Sequence, residues 1–468
     1  MATNANVIHF GPKGWRARLD EGFNAANVMR LADGLGAAWA ESNPSARVLI
    51  GFDTRPGAGD YARLVGEVLS GWGLDARISD RPCPTPALGW NLAHDDEACG
   101  GVMITASASP VDYQGIFVRD SQGLMPTGDF LEYVESLVPG DPSVQRGEVT
   151  TINLMDGYLE ALRGLVDADL IASAGLRLVV DSMHGSGSGY LAGLLRSLGA
   201  EVRELHGEPS ADLGGLHPCA IEPWVDKCER LVTQSGAHAG LVLDGDGDRY
   251  GLVTGDGALV SASRTAAILL DHVVARNGGP GRVVMPLSGS TYIRRQARRL
   301  GCALTVTPIG FGWSYREMRR PDALLGVGEY GGISLAGHFL ERDGLAACLL
   351  LCEMMAARSC GATSLARALD DQVGRLDFGQ RDIRLDSARV QTLRMILPGL
   401  NPERVCGENP VDVSHADGLR LGFADGSWVM LRPSRTEPAV RIYAEAPTTS
   451  RRDELLDEAC EIAREKSL

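Results

Sequence analysis

The stretch 240–249, Gly-Leu-Val-Leu-Asp-Gly-Asp-Gly-Asp-Arg, predicts an apolar strand that runs directly into an acidic loop. Glycines between the aspartates let the backbone bend tightly enough for several carboxylates to converge. Carboxylate oxygens are the ligands that Mg²⁺ prefers, so we expect Asp244, Asp246 and Asp248 to bind a divalent cation, and Mg²⁺ in particular. The alternative is an acidic turn between two strands, because Asp-Gly is also common turn chemistry.

Other apolar runs lead into loops in the same way and indicate an α/β fold. The runs 47–50, 101–104 and 178–180 each precede a loop rich in Gly, Ser or Asp, and helical stretches such as 61–72 and 190–198 alternate with them. This alternation predicts βαβ units and mixed, mostly parallel sheets. Ligands of such sheets bind at the loops beyond the carboxyl ends of the strands.

The length of the chain predicts several domains. Its 468 residues correspond to about three or four domains at roughly 100–200 residues each. Breaks near 138–142, 255–257 and 358–363 divide it, and the last part ends in a charged helix over 451–466. We therefore predict three α/β domains and a smaller α+β domain, with the bounds 1–143, 144–255, 256–362 and 363–468.

The composition limits the partners of the protein. A formal net charge of −15 argues against nucleic acid and anionic membranes, because both require a basic protein face. Residues 1–6 show no signal-peptide pattern, and the apolar stretch 345–357 is interrupted by Glu353 and is too short to span a bilayer. The ten cysteines contain no C-x-x-C pair, so we expect reduced thiols and a cytoplasmic location.

Four loops together carry a family resemblance. In chain order they are Thr-Ala-Ser-Ala-Ser-Pro at 105–110, the acidic loop 244–249, Gly-Glu-Tyr-Gly-Gly at 328–332, and Arg-Pro-Ser-Arg-Thr-Glu-Pro at 432–438. This set resembles the α-D-phosphohexomutases, which comprise phosphoglucomutases, phosphomannomutases and phosphoglucosamine mutases. Shorter stretches extend the likeness over essentially the whole chain, at 10–16, 51–55, 84–87, 181–185 and 341–344. The resemblance implies that four domains surround a central cleft and that each contributes one loop.

The resemblance also implies how the first two loops act. Ser107 matches the family's phosphorylated serine, which passes its phosphoryl group to a hexose monophosphate and recovers the other phosphate from the resulting bisphosphate. A phosphate oxygen on Ser107 would complete the metal site of the acidic loop. Arg16 and Arg249 would stabilise charge near the transferred group. Taken alone, Ser107 would be an ordinary solvated loop serine.

The other two loops correspond to ligand recognition in the family. Glu329 matches the acceptor for sugar hydroxyls, and Tyr330 follows it in the same loop. Four side chains of the last loop would bind the non-transferring phosphate with charge and hydroxyl groups, namely Arg432, Ser434, Arg435 and Thr436. Without the family, Glu329 would be an acidic turn residue and the last loop a strand-end turn with a solvated arginine.

The chain departs from the family pattern near the serine. The family usually has His-Asn-Pro after it, whereas this chain has Ala108-Ser109-Pro110. Phe117 stands where the family has a lysine, and a phenyl ring supplies neither charge nor a proton. Asp112 and Tyr113 are close to Ser107 in sequence, but the general acid/base stays unassigned.

Further departures lie in the recognition loops. Tyr330 takes the place of a serine, and Gly312-Trp313 stands where a Gly-Phe-Lys-type stretch would continue with its lysine. Arg435 replaces a glycine. Because the serine and the acidic loop are intact, we interpret these changes as an altered substrate rather than a simple loss of activity.

The sequence therefore predicts an Mg²⁺-dependent phosphosugar mutase, acting as a monomer or homodimer on a phosphorylated sugar or sugar-like molecule. The non-reacting end of that ligand would differ from a standard hexose phosphate. Two alternatives stay open. The chain is a catalytically silent relative that binds a phosphorylated ligand, or a phosphatase-like transferase in which the phosphoserine forms but the return step is missing.

Overall fold

The structure is a computed structural model that describes residues 8–11, 14–19, 21–210, 212–434 and 438–467. The chain divides into two compact units. The first unit comprises residues 1–262 and 330–364, and the second comprises residues 263–329 and 365–468.

The first unit begins with a six-stranded sheet. Its strands are β1 (Trp15–Arg18), β2 (Arg47–Phe52), β3 (Asp75–Ser79), β4 (Ala98–Ile104), β5 (Tyr113–Asp120) and β6 (Thr150–Ile152). They are ordered β1-β5-β4-β2-β3-β6, with β4, β2, β3 and β6 parallel and β5 antiparallel to both β4 and β1. The accompanying helices are α1 (Ala25–Ser42), α2 (Ala58–Gly71), α3 (Thr85–Ala93) and α4 (Gly128–Leu137).

Local sequence explains several of these boundaries. Asn24 and Thr127 begin α1 and α4 because their side chains accept hydrogen bonds from free backbone N–H groups of the first turn. The apolar run of β2 is buried because helices cover the sheet. Strand β6 joins this sheet although it follows residue 143, the predicted end of the first domain.

A second sheet in the first unit carries the acidic loop. Its strands are β7 (Arg177–Asp181), β8 (Glu201–Leu205), β9 (Ala239–Leu243), β10 (Tyr250–Thr254) and β11 (Leu259–Val260), ordered β11-β10-β9-β7-β8. Strands β9 and β10 are antiparallel neighbours, and residues 244–249 connect them. The loop is therefore a turn between strands. A turn of this kind is compatible both with the predicted metal site and with the alternative of an acidic turn.

The remaining elements of the first unit surround this sheet or follow residue 330. They are α5 (Asp156–Gly164), α6 (Ala168–Ser173), α7 (Tyr190–Ser197), α8 (Asp226–Ser235), β15 (Ile333–Leu335) and α12 (Gly344–Ala357). Helix α12 is buried along nearly its whole length, which explains the apolar stretch at 345–357.

The second unit contains a parallel sheet and an antiparallel one. The parallel strands are β12 (Arg282–Pro286), β13 (Ala303–Thr307) and β14 (Ala323–Val327), with β12 between the other two. The helices around them are α9 (Ala262–Arg276), α10 (Thr291–Arg299), α11 (Phe311–Met318) and α13 (Ala362–Val373). No single helix among the described residues could span a membrane by length and apolar character, and only α12 and α13, as a bent pair, satisfy that test together.

The antiparallel sheet forms the carboxyl-terminal part of the second unit. Its strands are β16 (Asp377–Arg384), β17 (Asp412–Ser414), β18 (Leu419–Gly422), β19 (Trp428–Pro433) and β20 (Ala439–Ala446), ordered β16-β20-β19-β18-β17. Helices α14 (Ser387–Ile396) and α15 (Thr449–Lys466) pack their apolar faces on it. The expected fold class, mixed α/β domains followed by an α+β domain, is confirmed. No disulfide bond joins any of the ten cysteines.

Candidate functional site

Ser107 lies in the loop after β4 with its hydroxyl directed at the acidic loop. Its Oγ lies 3.3 Å from Asp244 Oδ2 and 3.2 Å from Arg249 Nη2, and the residue has no exposed surface. Ser107 has a φ of 55°, in the left-handed region that is unfavourable for a residue with a Cβ. Its backbone N–H donates to Thr105 Oγ1 at 2.9 Å, which helps to hold this conformation.

A buried arginine in the loop after β2 fixes the backbone of the serine loop. Arg55 donates from Nη2 to the carbonyl of Ser107 at 2.8 Å, and from Nη1 to the carbonyls of Pro110 and Tyr113 at 2.7 and 3.1 Å. Its Nε lies 3.3 Å from Asp53 Oδ2. Burial lowers the pKa of Arg55, and burial raises the pKa of Asp53 to about 6 although Arg55 opposes that rise.

Sequence reasoning assigned no role to Arg55. The stretch 51–55 contributed to the resemblance only. The available signal was an Asp-Thr-Arg sequence directly after the apolar strand β2, since charged groups at a strand end in such folds commonly face a functional loop.

The three aspartates of the acidic loop form a buried carboxylate cluster. Asp244, Asp246 and Asp248 have no exposed surface, and one oxygen from each lies within 4.8 Å of the other two. Thr85 Oγ1 donates to Asp246 Oδ2 at 2.7 Å, but Asp246 Oδ1 is buried without a hydrogen-bond partner. A buried carboxylate oxygen is costly unless a cation or donor satisfies it. The cluster therefore fits a hard divalent cation with oxygen ligands.

Two arginines offset the charge of this cluster. Arg249 Nε lies 3.4 Å from Asp244 Oδ2 and 3.3 Å from Asp248 Oδ1, and Arg342 Nη2 lies 2.5 Å from Asp248 Oδ2. Burial tends to lower the pKa of Arg249, but the two carboxylates outweigh burial and raise its pKa. The side chain of Arg342 packs directly against Gly332. A Cβ at that position would lie 2.5 Å from Arg342 Cδ, so a larger residue would displace the arginine. Sequence reasoning also assigned no role to Arg342.

Arg16 and the atypical residues near the serine occupy defined positions. Arg16 Nη1 donates to Ser109 Oγ at 3.1 Å, so one of the residues that departs from the family pattern binds the predicted catalytic arginine. Phe117 lies on β5 with only 1% of its surface exposed. Tyr330 has a φ of 55°, and the following Gly331 is required because a Cβ there would lie 2.0 Å from the carbonyl oxygen of Tyr250.

The second unit contains the other predicted site residues. Glu329 Oε1 accepts a hydrogen bond from Ser288 Oγ at 3.0 Å. Arg432 Nε donates to Asp417 Oδ2 at 3.1 Å, and Ser434 N donates to the carbonyl of Ala439 at 2.8 Å, at the base of the predicted phosphate-binding loop. The predictions for Arg435 and Thr436 lie outside the described residues.

Six predicted residues belong to the first unit: Arg16, Ser107, Asp244, Asp246, Asp248 and Arg249. Asp244 and Arg249 contact the Ser107 hydroxyl, Asp246 and Asp248 cluster with Asp244, and Arg16 contacts Ser109 Oγ. Tyr330 also belongs to that unit. Glu329, Arg432 and Ser434 belong to the second unit, where a cavity of about 420 Å³ adjoins Arg432 and Asp417.

Family profiles cover nearly the whole chain in order. The three alpha/beta/alpha domains of phosphoglucomutase/phosphomannomutase match residues 7–142, 156–257 and 261–375, and the C-terminal domain matches residues 391–462. The chain belongs to the phosphoglucomutase/phosphomannomutase family. Its enzyme class, a phosphohexomutase-type isomerase that transfers a phosphoryl group through a phosphoserine and a bisphosphate, is the one expected from the sequence.

Members of this family resemble the chain from end to end. A phosphoglucomutase/phosphomannomutase of Thermococcus kodakarensis is 27% identical, with 96% of each chain covered. A phosphoglucosamine mutase of Frankia alni is 29% identical, with 94% of each chain covered. The crystal structure of a putative phosphomannomutase from Thermus thermophilus is 29% identical and has a TM-score of 0.88, covering 98% of this chain and 99% of its own.

Proposed function

We propose that this protein is an Mg²⁺-dependent phosphosugar mutase in which Ser107 carries the phosphoryl group. The observation that supports it most is the position of Ser107 Oγ between Asp244 and Arg249, at 3.3 and 3.2 Å. A serine hydroxyl is a weak nucleophile, so it needs neighbouring cations to accept and release a phosphoryl group. Arg249 provides one such charge directly at the hydroxyl.

Asp244, Asp246 and Asp248 would hold the metal ion. Bound there, Mg²⁺ would supply positive charge to the phosphate oxygens on Ser107. The unpartnered Oδ1 of Asp246 supports this assignment, because a cation would satisfy that oxygen.

The protein's own side chains would handle the rest of the transfer. The bond between Ser107 Oγ and phosphorus breaks as a sugar hydroxyl forms its own bond to phosphorus, and the hydroxyl proton leaves to a base. The return step reverses these changes at the other phosphate of the bisphosphate. Arg16 and Arg249 stabilise negative charge during both steps, and Arg55 holds the loop carbonyls so that the hydroxyl stays in place.

The proton acceptor stays unassigned. Asp112, which is near Ser107 in sequence, forms an ion pair with Arg18 at 3.0 Å. The carbonyl of Tyr113 accepts a hydrogen bond from Arg55. Neither contact places Asp112 or Tyr113 beside the proton of a sugar hydroxyl.

The substrate would be a phosphorylated sugar or sugar-like molecule with an atypical non-reacting end. Glu329, Arg432 and Ser434 would bind it together with Arg435 and Thr436. Trp313 supports the altered specificity. It lies in the segment where the family pattern has a lysine, and 48% of its surface is exposed. The guanidinium of Arg316 lies 5.8 Å from its ring centre, which keeps a cation close to this aromatic surface.

We also propose the coarser properties expected from the sequence. The protein would act as a monomer or homodimer in the cytoplasm, without a nucleic-acid or membrane partner. Its four domains would have bounds near 1–143, 144–255, 256–362 and 363–468.

Intact mass spectrometry tests the role of Ser107. After incubation with glucose 1,6-bisphosphate or mannose 1,6-bisphosphate, we expect a gain of about 80 Da from one phosphoryl group, mapped to Ser107. Ser107→Ala should abolish the gain. Ser70→Ala is the matched control and should keep it, because the Ser70 hydroxyl on α2 has no hydrogen-bond partner. A protein that never gains this mass is the silent relative instead.

Labelled phosphate separates the remaining alternative. A mutase keeps the label on sugar when glucose 1-phosphate, mannose 1-phosphate or a related phosphosugar is supplied with its bisphosphate. A phosphatase-like transferase releases the label as inorganic phosphate. Rapid turnover of ordinary hexose phosphates would contradict the proposal that the substrate is atypical.

A further inference from the structure

Asp417 lies in the turn between β17 and β18 and is 9% exposed. Its Oδ2 accepts two hydrogen bonds, one from Arg432 Nε at 3.1 Å and one from the backbone N–H of Ile309 at 3.1 Å. The next residue, Gly418, has a φ of 110°, and a Cβ there would lie 2.3 Å from the carbonyl oxygen of Leu431. Only glycine therefore lets the turn press against β19 and place Asp417 beside Arg432.

The contact with Asp417 constrains how Arg432 can bind an anion. A guanidinium has five N–H donors in a plane, and Asp417 takes the one on Nε. An oxyanion on this arginine therefore has to be bound through the two terminal nitrogens. The carboxylate also fixes the plane of the guanidinium, which lowers the conformational entropy lost when the ligand binds.

The contact with Ile309 reaches a different part of the second unit. Ile309 directly precedes Gly310, which has a φ of 131°, and the start of α11 with Trp313. This is the segment in which the chain lacks a family lysine. One carboxylate oxygen therefore joins the arginine of the phosphate-binding loop to the segment 309–313.

We propose that Asp417 is a positioning residue that sets the spacing between Arg432 and the segment 309–313. The inference rests on the proposed role of Arg432 in binding the non-transferring phosphate. Because the two groups share one acceptor oxygen, a ligand that contacts both must match a fixed separation. Asp417 thus contributes to specificity without touching the ligand.

A double-mutant cycle tests whether Asp417 acts through Arg432. Binding of inorganic phosphate and of glucose 1,6-bisphosphate is measured by calorimetry in the Ser107→Ala protein, so that no turnover occurs. We expect Asp417→Asn to weaken bisphosphate binding about tenfold, because it removes the charge that orients the guanidinium. In the Arg432→Ala background the same change should weaken binding by no more than about twofold, since independent sites add and coupled sites do not.

Asp412→Asn is the matched control on the same sheet. Asp412 pairs with Arg420 at 3.2 Å, and its side chain is 66% exposed. This variant should bind both anions as the parent does. A loss as large as that of Asp417→Asn would mean that any change of charge in this domain weakens binding, and it would overturn the inference.

Asp417→Glu provides a second variant that keeps the negative charge. The extra methylene alters the spacing, so bisphosphate binding should fall about tenfold while inorganic phosphate binding stays within about threefold. Equal losses for both anions would overturn the spacing argument. If Arg432→Ala itself leaves bisphosphate affinity unchanged, the proposed role of Arg432 fails; if Arg432→Ala weakens binding and Asp417→Asn does not, only the present inference fails.

Discussion

The acidic loop of the first unit and the predicted phosphate-binding residue Arg432 of the second both lie at strand ends, yet their side chains are held in different ways. Asp244, Asp246 and Asp248 are fully buried, and Arg249 of the loop itself and side chains from three separate segments contact them. In the second unit, by contrast, Arg432 Nε donates to Asp417, and the side chain of Arg432 is 14% exposed. Burial and multiple contacts make the first arrangement hard to change without losing the fold.

The departures from the family fall on both sides of this difference, because Ala108 and Phe117 are buried in the first unit whereas Trp313 is half exposed in the second. Trp313 is 48% exposed, so a substitution there can change the surface at little cost in packing. The serine and its carboxylates share contacts with each other, so one change there would leave buried charge unpaired. We infer that the transfer chemistry has been kept and the recognition surface has been altered.

The largest expected effect is in the first unit. Asp246→Asn should abolish Mg²⁺ binding and lower turnover by at least about 100-fold, because the substitution removes a charged metal ligand. Magnesium titration by calorimetry, together with the rate of phosphosugar conversion, measures both effects.

The control for this prediction is the second acidic cluster, Glu222, Asp226 and Glu229. Two of its three members are exposed, so Glu222→Gln should leave Mg²⁺ affinity within about twofold. Loss of Mg²⁺ binding in Glu222→Gln, with retention in Asp246→Asn, would place the metal at the Glu222 cluster instead. It would contradict the contrast between a metal-binding acidic loop and a ligand-recognising second unit.

Restoring the missing lysine should destabilise the protein. Phe117 is only 1% exposed, so Phe117→Lys both removes a packed ring and buries an ammonium group, at a cost of about 3–5 kcal/mol. Thermal or denaturant unfolding measures the loss, and no gain of hexose phosphate turnover is expected. Phe117→Leu is the control and should cost less than about 2 kcal/mol because it stays apolar. A stable and more active Phe117→Lys protein would contradict this prediction. It would show that the first unit can still accommodate the family lysine at position 117.

The smallest expected effect is a change of preference in the second unit. Trp313→Ala should alter the ratio of kcat/KM between two phosphosugars by about three- to tenfold, with stability changed by less than about 0.5–1 kcal/mol because the ring is half exposed. Trp72 is the matched control, since it is 43% exposed in the first unit and donates from Nε1 to Asp33 at 3.0 Å. Trp72→Ala should affect stability but leave the preference unchanged. An unchanged preference in Trp313→Ala would contradict a recognition role for this segment.

Sequence patterns predicted those strands, turns and helices whose formation depends on residues close together in the sequence. The strand before Asp244 is visible as an apolar run, and the alternating glycines indicate a tight turn, so the acidic loop could be located without the fold. The predicted helix over 451–466 corresponds to α15, which begins two residues earlier at Thr449. The pairing of β6 with β3 joins residues 150–152 to the first sheet, and no pattern of neighbouring residues indicated that pairing.

The sequence by itself determined the chemical groups of this protein: a serine loop, three closely spaced carboxylates and an arginine-containing loop, each defined over a few residues. Only the tertiary structure decided which buried side chains hold those groups in place. Arg55 reaches the carbonyl of Ser107 across 52 residues, and Asp417 reaches Ile309 across 108. Such contacts depend on strand order and on the position of each turn relative to its neighbouring strand, and neither property is written in a local pattern of residues.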